Sequence, residues 1–223
     1  MNLKLKRVKE LFAFFLDTVR KEGFSSTLKR AWGFLRRRLK SKKGRFLPPK
    51  DVLAAQAAAD TSAWPLLSVC VPFYNTPRPF LRDLVQSLKG QSCQNWELCA
   101  ADASDAAHAY VEQYLRRELG QKLRYVRVEN KGISANTNAA ARLAAGAYLG
   151  LADHDDVLAP CAVYEMMAAA HRTGAGFLYS DEALFQQDIR RPLVGHFKPD
   201  FAPDYLNCCN YICHFSVFKK ELF

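Results

Sequence analysis

The chain has 223 residues, 49% of them hydrophobic. That is enough to fill one sizeable core, and it excludes global disorder. Its net charge of +10 is unevenly placed: residues 1–50 carry 16 Lys/Arg against 3 Asp/Glu, net +13, while residues 51–223 carry 16 against 19, net −3. The expected organisation is a slightly acidic domain with a basic arm.

The arm spans residues 1–45. Apolar residues recur there at helical spacing, first Leu5, Val8, Phe12, Phe15 and Val19, then Phe24, Leu28, Trp32, Leu35 and Leu39. Lys and Arg fill much of the remaining surface and end in RRRLKSKKGR. Two readings stand: a helix pair lying on an anionic membrane surface, or a hairpin packing on protein. No recognised nucleic-acid motif is present, so nucleic acid is not an expected partner. "LFAFFLDTV" is interrupted by Asp17 and lacks a cleavage site, so it is no signal peptide. No run approaches the roughly 20 apolar residues of a membrane span. Seven scattered cysteines, an odd number, argue against a disulfide framework and for a reducing compartment. Cys208, Cys209, Cys213 and His214 match no common zinc spacing. The expected location is cytoplasmic, with the arm peripheral on the inner membrane face.

Residues 46–65 read as a linker, with Pro48-Pro49 stopping any preceding helix and an Ala-rich piece forming a short new one. From Leu66 the pattern alternates strand and helix. LLSVCVP is a strand, and PFLRDLVQSLKG a helix with Leu81, Leu84, Val85 and Leu88 inward. WELCAAD is the next strand, followed by a helix through Val111, Tyr114 and Leu115 to Gly120. Then come the strand LRYVRV, the helix ANTNAAARLAAG, the strand YLGLAD, the helix PCAVYEMMAAAHRTG and the strand FLYSD. Strands separated by helices of this length predict an α/β fold, a mostly parallel sheet with helices on both faces.

Three of those strands end in an acid: Asp102, Asp153 and Asp181. Ligands of open α/β sheets bind beyond the carboxyl ends of the strands. Asp153, Asp155 and Asp156 crowd one such end, and like charges repel unless a cation relieves them. Hard oxygen donors suit Mg²⁺ or Mn²⁺ shared with phosphate oxygens. There is no GxGxxG after a strand, no phosphate-loop motif, no GxSxG and no HExxH. Asn75 alternatively caps the helix beginning near Pro79, and Asp156 alternatively serves the N-terminus of the next helix. Asn138 alternatively satisfies local backbone. Lys198 either steers phosphate or is a solvated lysine. His196 and His214 read as structural histidines.

LSVCVPFYNTPRPFLRDLVQSLKGQSCQNWELCAADAS resembles the start of family 2 glycosyltransferases. NKGISANTNAAARLAAGAYLGLADHDDVLAP is similar to their G-I-S-x-x-x-N helix followed by a D-x-D-D element. YSDEALF, FKPDFAPDYL and NYICHFSVFKKEL resemble the subgroup that builds O-antigen, rhamnan and related cell-surface polysaccharides. The resemblance runs from about Leu66 to Phe223 and implies a GT-A (Rossmann-like) fold over 66–223. It implies inverting transfer of a sugar from a nucleotide-diphosphate sugar to a glycan or lipid-linked acceptor. By the same resemblance, Pro72, Tyr74, Asn75, Asp102, Asn138 and Asp153 would bind the donor, and Asp155 and Asp156 the metal. Asp181 and Glu182 would face the acceptor and are weak candidates for the general base.

Two departures matter. Ala103 stands where the family has a second acid, and no counterpart of its later, base-bearing segment is visible. The expectation is therefore a truncated chain whose general base is missing. The competing reading is a degenerate module that binds nucleotide-sugar or membrane without turnover. A nucleotidyltransferase would need more basic character near the first strand than Arg78 supplies.

Overall fold

The structure is a computed structural model, and residues 47–186 and 193–223 are described. The basic arm, and with it the expected helix pair, lies outside the described residues. The compact unit containing the described residues begins at Phe46.

The segment expected as a linker packs against the domain. Its short helix α1 (Lys50–Ala58) buries Gln56, whose amide nitrogen donates to Glu165 at 2.7 Å and whose oxygen accepts from Ser92 at 2.8 Å. Further on, Trp64 sets its ring edge-on to Tyr164, with centroids 5.0 Å apart. Asn95 donates to the carbonyls of Trp64 and Pro65.

The remaining elements follow the predicted alternation. They are β1 (Leu67–Phe73), α2 (Arg78–Lys89), β2 (Trp96–Asp102), α3 (Tyr110–Leu119), β3 (Leu123–Arg127), α4 (Ile133–Arg142), β4 (Tyr148–Leu151), α5 (Ala162–Thr173) and β5 (Phe177–Tyr179). After β5 come β6 (Glu182–Leu184), β7 (Val194–His196), α6 (Pro203–Cys208) and β8 (Ser216–Lys219). The main sheet has the order β3-β2-β1-β4-β8-β5, and β6 and β7 form a separate antiparallel pair. Strands β3, β2, β1 and β4 run parallel.

Strand β1 shows why helices cover both faces. Its side chains alternate. Leu67, Val69, Val71 and Phe73 enter a core with Leu81, Leu84, Val85 and Leu88 of α2, Val111 and Leu115 of α3, and Met167 of α5. Cys70 enters a second core with Ala140 and Ala141 of α4. Every residue of β2 is buried, as both-face cover requires. The helix ends follow the glycine signals: Gly120 and Gly174 close α3 and α5 at φ 52° and 65°.

Strand alternation predicts that β5 follows β4 as a further parallel strand of the sheet. Strand β8, which comes last in the chain, inserts between them and pairs antiparallel with both. Room for it comes from Gly150 in β4: a methyl built there would lie 2.5 Å from the ring of Phe215, just ahead of β8. The pairing of Leu151 with Ser216 brings His214 to the edge where β1, β2 and β4 end.

Candidate metal and nucleotide-sugar site

The carboxyl edge of the sheet collects three loops. The loop after β1 carries Tyr74, which is half exposed, and Asn75, which takes the left-handed conformation at φ 48°. Asparagine tolerates that conformation better than most residues. Its side chain joins the loops after β1 and β2. The Asn75 amide donates to Asp105 at 3.1 Å, and its oxygen accepts the Asp105 N–H at 2.9 Å. The Asn75 N–H donates to Ser104 Oγ at 2.9 Å. Asn75 does not cap α2, whose N-terminus has Pro77 at the cap and no side-chain bond. Asp105, which the sequence reading passed over, is its partner. Its pKa is held below the ordinary carboxylate value first by the hydrogen bond with His108. Pro72 lies in β1, opposite Ala101.

Asp102, at the end of β2, is fully buried. One carboxylate oxygen accepts the Ser104 N–H at 2.9 Å; the other accepts from Tyr125 at 2.7 Å and from Arg127 at 3.3 Å. Arg127 also donates to the Ser104 carbonyl, and its side chain remains 43% exposed. Asp102 therefore anchors a half-exposed guanidinium at this edge. Burial, and then the bond to Asp102, pushes the Tyr125 phenol above its ordinary pKa. Ala103, in the place of the family's second acid, is buried.

On α4 the buried asparagine is Asn136, whose amide donates to Asn130 at 3.1 Å; Asn138 is exposed. Gly132, at φ 88°, starts the helix.

The loop after β4 holds the clustered acids. Asp153 and Asp156 are partly buried and Asp155 is exposed. The Asp153 N–H donates to Asp156 Oδ2 at 3.1 Å, and the Asp156 N–H donates to the Asp153 carbonyl at 3.2 Å. This reciprocal turn holds the Asp156 carboxylate against the Asp153 backbone, and Asp156 does not serve α5, whose cap residue is Cys161. His214 Nδ1 lies 3.7 Å from Asp156 Oδ2. Asp153, Asp156 and His214 each place a ligating atom within 4.8 Å of the others. Burial raises the Asp156 pKa above the ordinary value, and repulsion from Asp153 and Asp155 adds to that; His214 and the Asp153 N–H oppose it. Two carboxylates and an imidazole, with the charge of one carboxylate disfavoured, form a donor set that suits a divalent cation. Asp155 belongs to the motif but not to this group of three. His214, read from the sequence as structural, does belong to it.

The acceptor-side candidates are engaged elsewhere. Asp181 accepts the Lys198 N–H at 2.8 Å. Glu182 meets His196 Nδ1 at 2.9 Å, accepts the His214 N–H at 3.1 Å and lies 3.8 Å from Lys198 Nζ. Burial pulls its pKa upward, but the bonds from His196 and His214 outweigh burial and leave it below the ordinary value. Lys198 is not the solvated lysine of the sequence reading: its side chain is 1% exposed.

Residues 68–223 match the profile of Glycosyl transferase family 2, and the chain belongs to that family. It is 39% identical over 163 residues to uncharacterized protein y4gI of Sinorhizobium fredii, covering 71% of this chain and 18% of that protein. It is 31% identical over 179 residues to the O-antigen biosynthesis protein RfbC of Myxococcus xanthus, covering 78% of this chain and 14% of that protein. The chain thus spans less than a fifth of these relatives' lengths. Residues 1–349 of TarS from S. aureus superpose with a TM-score of 0.56 at 18% identity, over 70% of this chain and 48% of that one. That likeness supports the GT-A fold.

Proposed function

We propose that this chain is the donor-binding part of an inverting glycosyltransferase of cell-surface polysaccharide synthesis. It takes a sugar from a nucleotide-diphosphate sugar and delivers it to a glycan or lipid-linked acceptor. The observation that carries this reading is the meeting of Asp153, Asp156 and His214 at the carboxyl edge of a family 2 domain. A relative named for O-antigen biosynthesis supports the pathway class, and the TarS structure solved with UDP, at a TM-score of 0.52, supports a nucleotide as ligand.

In this reading Asp153, Asp156 and His214 hold Mg²⁺ or Mn²⁺, with Asp155 exposed beside them. The imidazole favours Mn²⁺ over Mg²⁺. When bound, the ion supplies Lewis-acid stabilisation of the departing diphosphate. Tyr74 offers its half-exposed ring, and Asn75 holds its loop, beside Pro72, against the loop after β2. Asp102 acts through Arg127, which it presents to the nucleoside, and Asn138 is exposed midway along α4. In the transfer the acceptor hydroxyl attacks the anomeric carbon as the bond to the diphosphate oxygen breaks. Neither Asp181 nor Glu182 is assigned as the base that takes the hydroxyl proton, because both carboxylates hold other groups. The basic arm is assigned to an anionic, cytoplasmic membrane face; among the described residues no helix is long and apolar enough to cross a membrane. Ala103 favours the second reading, a module that binds the donor without turnover.

Calorimetric titration with UDP and dTDP, with and without Mn²⁺, tests the first reading. Metal-dependent binding that disappears in Asp156→Ala supports a working donor site. Absence of binding to either nucleotide in all conditions refutes it.

A further inference from the structure

Resting on the assignment of His214 as a ligand, we propose that the buried Lys198 and the partly exposed Glu182 form a clasp that positions His214 for the metal. Lys198 Nζ donates to three successive carbonyls, those of Ile212 at 3.0 Å, Cys213 at 3.1 Å and His214 at 2.6 Å. All three donors of the ammonium are thereby used on one stretch of backbone. Glu182 accepts the N–H of His214, so both main-chain polar groups of His214 are held by this pair. Glu182 is itself oriented by His196, and the two residues face each other across the β6–β7 pair. Asp181 closes the clasp by accepting the Lys198 N–H.

A fully covered ammonium is costly unless its hydrogen bonds and its counter-charge are in place. Here both are, and what they fix is the backbone that leads into β8. The Lys198 ammonium cannot help bind a cation by charge, because it repels one. Its contribution to the site is therefore the placement of His214, as groups behind a metal ligand orient that ligand. The clasp also ties the metal site to the β6–β7 pair.

The test is a double-mutant cycle read by Mn²⁺ affinity, using Mn²⁺ alone and following the free ion by electron paramagnetic resonance. Lys198→Met keeps the apolar stem and removes the ammonium. The expected result is a loss of about tenfold or more in Mn²⁺ affinity for Lys198→Met, similar to that for His214→Ala. The Lys198→Met/His214→Ala double variant is expected to be no weaker than His214→Ala alone. The imidazole nitrogen coupling to bound Mn²⁺ should fade in Lys198→Met. Unchanged or tighter binding in Lys198→Met, or losses that multiply in the double variant, would overturn the clasp while leaving His214 as a ligand. Unchanged binding in His214→Ala would overturn the ligand assignment itself, and the clasp with it. If Lys198→Met does not fold, Glu182→Gln takes its place in the cycle. It keeps an acceptor for the His214 N–H but removes the charge facing Lys198. A loss of affinity that vanishes in the His214→Ala background supports the clasp, and wild-type affinity refutes it.

Discussion

Gly150→Ala links the packing of the sheet to the site. Gly150 sits in the middle of β4, paired with Val69 on one side and Val217 on the other. A methyl group there would lie 2.5 Å and 2.8 Å from two atoms of the Phe215 ring, and 3.4 Å from Leu67 Cδ1. Carbon atoms in contact sit about 3.5–4.0 Å apart, so the ring must retreat by about 1 Å. Phe215 is only 5% exposed and lies in the main core, so it has little free space to retreat into. Overpacking of this kind costs about 1–3 kcal/mol. For a chain of this length each kcal/mol lowers Tm by about 2–4 °C, so the expected fall is roughly 2–12 °C by calorimetry. Because Phe215 follows His214 directly, Mn²⁺ affinity should fall as well. Gly176→Ala is the control: its new methyl would meet only Leu222 Cδ1, at an ordinary 3.6 Å. If Gly150→Ala melts within a degree of wild type, the argument that Gly150 makes room for β8 is wrong.

The buried Glu97 carboxylate accepts from Ser68 at 2.6 Å, Arg124 at 2.5 Å and the Ala145 N–H at 2.7 Å. Burial pushes its pKa up, but those bonds prevail and hold it below the ordinary 4.5. Its stabilising effect is therefore present above pH 4.5 and is lost as pH falls through its lower folded pKa. Glu97→Ala should cost about 2–4 kcal/mol in urea melts at pH 7 and flatten the acid limb of the stability profile; an unchanged limb would count against this network. Asn75→Ala should destabilise by about 1–2 kcal/mol, because it loses the Asp105 bonds and strains a positive φ. Asn75→Gly should recover part of that loss, and equal losses in the two variants would remove the backbone component. Deleting residues 1–45 should release the protein from anionic vesicles in a sedimentation assay; full retention would refute the membrane role of the arm.

The sequence alone determined the four parallel strands, the helices on both faces and the acids at the strand ends. Those features are local: side-chain period, glycine stops and a carboxylate at the end of an apolar run. Family motifs then located the residues of one sheet edge. Long-range pairing decided the rest. Asp102 ends its strand as expected, but only the neighbouring β3 supplies the Tyr125 and Arg127 that bury its charge. Asn75 has the residue type of a cap, yet its partner Asp105 arrives from the loop after another strand. Lys198 looks solvated in sequence because nothing near it in the chain announces the three carbonyls of residues 212–214. His214 joins Asp153 and Asp156, some 60 residues earlier, because β8 runs antiparallel into the gap between β4 and β5. Strand order and direction depend on which surfaces can cover one another, and a one-dimensional pattern does not encode that.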